Sequence, residues 1–217
     1  MPIVISLLNP CFLFTNYQIS PFQANHMEQI YIENEIFKKK NFSEEMLLPG
    51  EYDSCHFIDC NFSRGNFGAY TFVETTFENC DFSLSQFQGT SFRDVNFINC
   101  KLMGLRFDIC DPFLLSFNFK ECTLDFSSFY KLKIKGTRFI NCKMRETDFT
   151  ETNLSNSVFE HCDLNGAMFS NTVLLKADLS TAENFSLDPE ENTIKGARFS
   201  EGNIAGLLGR YKIVIVK

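Results

Sequence analysis

The sequence contains no tryptophan, no Cys-x-x-Cys pair and no glycine-rich phosphate loop. The missing Cys-x-x-Cys spacing leaves nine cysteines without the usual ligand arrangement of a zinc site. The missing loop removes the backbone cradle that nucleotide chemistry needs. Residues 1–26 carry no Lys, Arg, Asp or Glu, so the basic start of a secretory signal is absent. Asn9, Pro10, Asn16 and Pro21 interrupt their apolar residues, and no run of about 20 is left to cross a bilayer. Residues 1–27 read as a non-repeat extension, either a disordered tail or a stretch upstream of a start at Met27, with an extra strand or cap as the alternative. Only three histidines are present. His161 adjoins Cys162, but neighbours on an extended segment point to opposite faces, so the pair makes no nucleophile dyad. Neither an enzyme nor a cofactor is expected.

What the chain has is period. From Arg138 to Leu179 every fifth residue is large and apolar: Phe139, Met144, Phe149, Leu154, Phe159, Leu164, Phe169, Leu174 and Leu179. A small residue sits two places before each, such as Cys142, Thr147, Thr152, Ser157, Cys162, Ala167, Thr172 or Ala177. Five matches neither the 3.6-residue period of a helix nor the two-residue period of a strand. The frame extends back to Leu114, slips by two residues, and continues from Phe107 to Ile32, giving thirty pentads with no polar residue at the centre. Eighteen of the 26 phenylalanines occupy these centres.

A longer period overlies the short one. Cys60, Cys80 and Cys100 are 20 apart, as are Cys122, Cys142 and Cys162. Phe57, Phe77, Phe97, Phe119, Phe139 and Phe159 therefore form one column. Four pentads per 20 residues describe a four-sided coil stacked at the strand spacing of roughly 4.8 Å. The cysteines stand where Ala or Ser would serve equally, as small inward residues. A stack of free thiols fits a reducing, cytoplasmic setting. The N-x-S sequences at Asn41, Asn61, Asn153 and Asn184 follow from the pentad's own bias.

The pentad [A/C/S/T]-[D/N]-[F/L]-x-x, best seen in TNLSN, CDLNG, ADLST and CDFSL, resembles that of the pentapeptide repeat proteins. That resemblance implies an all-β fold, a right-handed quadrilateral β-helix, over residues 28–199.

The slip falls at Asp108, Asp111, Pro112 and Phe113. Proline cannot donate to the ladder, so a bulge or kink is expected there. It is either a structural insertion or a protruding contact point. Beyond Leu179 the pattern loosens, then resumes at Ile194 and Phe199. Ser200 is expected to cap a short helix bearing Ile204, Leu207 and Leu208, with Gly209 closing it. Residues 211–217 read as a strand. Residues 200–217 would then cover the open end, and Leu207, Leu208, Tyr211, Ile213 and Ile215 would pair with a second copy.

Charge is uneven. The net charge is −7, yet the ten acids between Glu146 and Glu191 face only Lys176, so this segment is −9. It spans roughly 11 Å of rod, where duplex DNA carries roughly six or seven charges. Glu146, Asp148, Glu151, Glu160, Asp163 and Asp178 are the candidate partner-binding acids. The pentads, the STAENFSLDP segment and the closing GLLGRY are similar to those of the Qnr-type quinolone-resistance proteins and their self-immunity relatives. The resemblance implies a homodimer joined at the C-terminus that imitates duplex DNA. It would bind DNA gyrase or topoisomerase IV and protect it from poisons, binding no nucleic acid itself and no membrane. The alternative is a non-catalytic interaction scaffold with another protein partner.

Overall fold

The computed structural model describes residues 3–4, 30–68, 70–214 and 216. The backbone winds as a right-handed coil with four sides, and every pairing between coils is parallel. Side one holds the strands Ile30–Glu33, Gly50–Asp53, Thr71–Val73 and Ser91–Arg93, and continues through paired rungs at Lys133, Asn153, Val173 and Thr193. Side two is a seven-stranded ladder from Ile36–Lys38 to Val158–Glu160. Side three carries rungs from Asn41 and Asn61 to Asp163 and Glu183, and side four carries Asn66, Gln86, Arg106, Ser128, Asp148 and Met168. Ile3–Val4 pairs with Ile30–Tyr31 and extends side one by a rung. The rest of the expected N-terminal extension lies outside the described residues.

The register is the one the period predicts. Phe57 faces Phe77, Phe77 faces Phe97, Phe97 faces Phe119 and Phe119 faces Phe139 across successive rungs. Their rings stack at 5.0, 5.2, 5.3 and 5.3 Å with interplanar angles of 15° or less. Rings of adjacent columns meet edge to face, as Phe72 does Phe77, so the quadrupoles are satisfied in both directions. Twenty-seven of the thirty pentad centres are buried, the exceptions being Phe37, Phe42 and Leu114.

The small inward residue does more than leave room. Its hydroxyl or thiol donates to a backbone carbonyl of the preceding coil: Thr152 Oγ1 to Phe129 O at 2.7 Å, Thr172 to Phe149 at 2.8 Å, Cys100 Sγ to Phe77 at 3.3 Å. These bonds stitch the coils through the core beside the main-chain ladder. Thr152→Val keeps the shape and leaves that carbonyl without its side-chain donor. A loss of about 1–3 kcal/mol is expected in denaturant unfolding. Each side turns at a left-handed residue, such as Asn79 at φ 55° or Asp94 at φ 53°.

Three expectations are corrected here. Leu114 is no pentad centre: it is 64% exposed with φ 55°, while Leu115 and Phe117 turn inward instead. The extra residues lie between Asp111, whose N–H still reaches Thr90 O, and Ser116, whose N–H reaches Phe92 O. Pro112, Phe113 and Leu114 bulge outward from side one, because a proline in place of a ladder donor frees the chain there. The C-terminal helix is not an α-helix. It is two 3-10 turns, Ile204–Leu207 and Gly209–Tyr211, with no capping bond from the side chain of Ser200 and a left-handed close at Lys212 rather than Gly209. Residues 212–214 and 216 form no strand within the chain, since no neighbouring rung is left for them to pair with.

Candidate partner-binding surface

The coil separates residues that the linear sequence groups. Of the six candidate acids, Asp148 lies on side four, and Glu146 and Glu151 stand at its two corners. Asp163 lies on side three, and Glu160 and Asp178 lie on side two. The last coil adds Asp188, Glu190 and Glu191 between the side-three rung at Glu183 and the side-one rung at Thr193, which is again side four. Side four of the C-terminal coils therefore gathers six carboxylates.

Ion pairing sorts the acids further. Glu151 meets Lys131 at 3.5 Å, Glu160 meets Arg138 at 3.8 Å, Asp163 meets Arg145 at 2.8 Å and Asp178 meets Arg198 at 3.0 Å. Arg210 bridges Asp188 and Glu190 at 3.0 and 2.7 Å. Among the described residues, Glu146, Asp148, Glu183 and Glu191 have no cationic partner. A hydrogen bond from Asn184, and then Arg145, hold Asp163 below the usual carboxylate range despite its partial burial. Burial would raise Asp178, but hydrogen bonds from Ser180 and the Arg198 charge bring it below the usual range too. Both are ionised at neutral pH, with their charge already answered. Such pairs on the surface add little stability, and they offer a basic partner less than Asp148 and Glu191 do.

The C-terminal end is closed by its own turns. Asn203 Nδ2 donates to Leu179 O at 2.8 Å and Ala182 O at 3.0 Å, and Gly206 O accepts from Leu187 N at 2.9 Å. A Cβ at Gly206 would stand 2.5 Å from Phe185 O, so glycine is what allows this approach. Leu207 and Leu208 are half-buried, Leu207 against the core. Tyr211, Ile213, Val214 and Val216 are exposed, with Ile204 beside them. Ile215 lies outside the described residues. The end thus presents an apolar patch of the sort that marks an interface.

The remaining chemistry is spare. Eight free cysteines are buried among the described residues. Burial pushes the Cys55 thiol up to about 11 and raises Cys110 further, so neither is a ready thiolate. Among the described residues no cluster of His, Cys, Asp and Glu could hold a metal ion, and no helix is long and apolar enough to cross a membrane.

The four-sided coil and its stacked phenylalanines define a non-globular class, the pentapeptide repeat solenoid. Residues 113–206 match the family model of the pentapeptide repeat region, and residues 13–107 match that of the SV2A/B/C luminal domain. The two matches meet at the bulge. The fold is that of the pentapeptide repeat solenoids, and the family model matches the C-terminal part of the chain. No curated protein matches it. Among solved structures, a trypsin-treated form of QnrB1, a plasmid-mediated fluoroquinolone resistance protein, is 19% identical with a TM-score of 0.51, over 86% of this chain and 92% of that one. HetL, a pentapeptide repeat protein involved in heterocyst differentiation regulation from Nostoc sp. strain PCC 7120, is 14% identical with a TM-score of 0.48, over 80% and 86%. At these identities the likeness is one of fold.

Proposed function

We propose that this rod is a cytoplasmic, non-catalytic DNA mimic, dimeric through its C-terminal end, that occupies the DNA-binding saddle of a type II topoisomerase and protects the enzyme from quinolones or related poisons. The observation that carries the reading is the carboxylate set on side four of the C-terminal coils: Glu146, Asp148, Glu151, Asp188, Glu190 and Glu191 against only Lys131 and Arg210. It stands on a rigid scaffold beside the apolar end. Joining two copies there would extend the acidic side into one continuous surface, the complement of a basic saddle. The architecture shared with QnrB1 supports the choice of partner.

The test is a gyrase and topoisomerase IV assay, with and without ciprofloxacin, comparing wild type with Asp148→Lys, Glu191→Lys. Reversal of two unpaired carboxylates is expected to weaken the effect about 100-fold, at roughly 1–2 kcal/mol per reversed contact. Glu160→Gln, Asp178→Gln is expected to leave it nearly unchanged, because both lie on side two and are already paired. No effect of wild type at micromolar concentration would refute the proposal. One observation favours the second reading, a scaffold for another protein: six of the ten acids from Glu146 to Glu191 are neutralised by neighbouring coils. Capture of a non-topoisomerase partner indifferent to the side-four reversal would select it.

A further inference from the structure

Side one is charged in an order the other sides lack. Its N-terminal rungs expose Glu33, Glu74 and Asp94 and carry Glu51 and Asp53 half-buried, Asp53 accepting a hydrogen bond from the Tyr31 hydroxyl at 3.0 Å, and its C-terminal rungs expose Lys133, Lys135, Lys176 and Lys195. The only cation among the acidic rungs is Arg93, whose guanidinium lies 5.6 Å over the Phe113 ring. No carboxylate lies on the lysine rungs of this side; Glu151 and Glu191 sit around the corner toward side four. Among the described residues none of these five acids and four lysines has an ion-pair partner, although all the other sides carry such pairs. Midway between the two halves, the bulge exposes Phe113 at 62% and Leu114 at 64%.

We infer that side one is a self-complementary interface on which a second copy of this chain packs antiparallel. The bulge would lie on the two-fold axis. Counting rungs by their inward residues, side one runs Ile32, Tyr52, Phe72, Phe92, the bulge, Ile134, Leu154, Leu174 and Ile194. A two-fold lying across the rod at the bulge sets the first rung against the last. Glu33 then meets Lys195 of the second copy, Asp53 meets Lys176, and Asp94 meets Lys135. Each pair occurs twice, and Phe113 and Leu114 meet their own counterparts at the centre. An isologous contact with an apolar middle and a charged rim is the ordinary form of a two-fold dimer. The parallel arrangement would set like charge on like, so the charge order chooses the direction. Eight rung spacings give roughly 38 Å of contact length. At a side width of roughly 13 Å, four residues at the strand rise, this is roughly 500 Å² per partner, the size of a weak, salt-sensitive association. The contact is separate from the C-terminal patch, so the inference does not depend on the proposed topoisomerase activity.

The experiment is sedimentation equilibrium of the full chain carrying Ile213→Asp and Val214→Asp, which removes the exposed C-terminal patch. In this background a mass twice the 25.0 kDa monomer is expected at low salt, falling toward the monomer at about 0.5 M salt as the charges are screened. Glu51→Lys with Asp53→Lys should raise the dissociation constant at least about tenfold, and Lys176→Glu should do the same. An equimolar mixture of the two variants should restore the dimer, because the reversed rungs then face each other with opposite signs. A single Phe113→Cys should form a symmetric intermolecular disulfide on mild oxidation, which wild type does not form. A monomer at low salt, a dimer indifferent to either reversal, or a mixture that stays monomeric would each overturn the proposal and leave side one to a partner other than this chain.

Discussion

Phe119→Ala should remove about 3–5 kcal/mol of stability, which for a domain of this size is a large share of the total. Its ring is 1% exposed and lies between Phe97 and Phe139, 5.3 Å from each, with Phe107, Phe117 and Phe129 around its edges. It is also the first column residue after the bulge, where the ladder must recover its register: Phe119 faces Phe97 at a step of 22 residues and Phe139 at a step of 20. Each coil contacts only its neighbours, so a cavity here weakens the connection between the two halves of the rod and has no other layer to relax into. Leu114→Ala, five residues earlier, removes a side chain exposed to solvent and should change stability by no more than about 0.5 kcal/mol. Denaturant unfolding of the two variants checks both. Equal losses would mean that Leu114 belongs to the column after all.

The second large effect concerns the C-terminal end. Substitution of Ile213 and Val214 by Asp should abolish self-association through that end, with loss of any topoisomerase effect that depends on it. Ile213 is 57% and Val214 87% exposed, so charge placed there leaves the rod's own packing untouched. Leu207→Asp, Leu208→Asp should also dissociate the end, by a different route. Leu207 packs on the core, and burying a carboxylate there would detach the closing turns. Circular dichroism and thermal unfolding separate the two: the exposed pair should melt like wild type, and the leucine pair several degrees lower. If both variants remain associated through this end, at salt high enough to dissociate side one, Ile213 and Val214 are not in the interface.

The architecture was legible because one residue class carries it. Each inward Phe or Leu has a counterpart 20 residues away, and strand register follows from that spacing without further information. The thiol and hydroxyl positions were legible as small; their bonds to the previous coil, such as Thr152 to Phe129 O, were not, because they join residues 23 apart across an offset that the period does not display. Leu114 was misread for a local reason. It fits the five-residue count, yet Pro112 removes the ladder donor and pushes the neighbouring residues outward. The acidic segment was visible as charge but not as surface. Counting along residues 146–191 omitted Lys131, Arg138, Arg145, Arg198 and Arg210, each about one coil from its carboxylate and outside that window. The same charges counted by column would have shown the pairing, and would have shown the order along side one. The C-terminal turns escaped because a helical apolar spacing over so few residues also suits 3-10 turns held by Asn203.

The account rests on the acidic side four standing in for duplex DNA on a protein partner. Its most direct test is displacement of a fluorescent duplex of about 30 base pairs from gyrase and from topoisomerase IV, read by anisotropy. Wild type should compete the duplex off stoichiometrically, with an affinity that falls as salt rises, and Asp148→Lys with Glu191→Lys should fail to compete. A duplex that stays bound to both enzymes at saturating wild-type protein, or that is displaced equally well by the reversed variant, would contradict it.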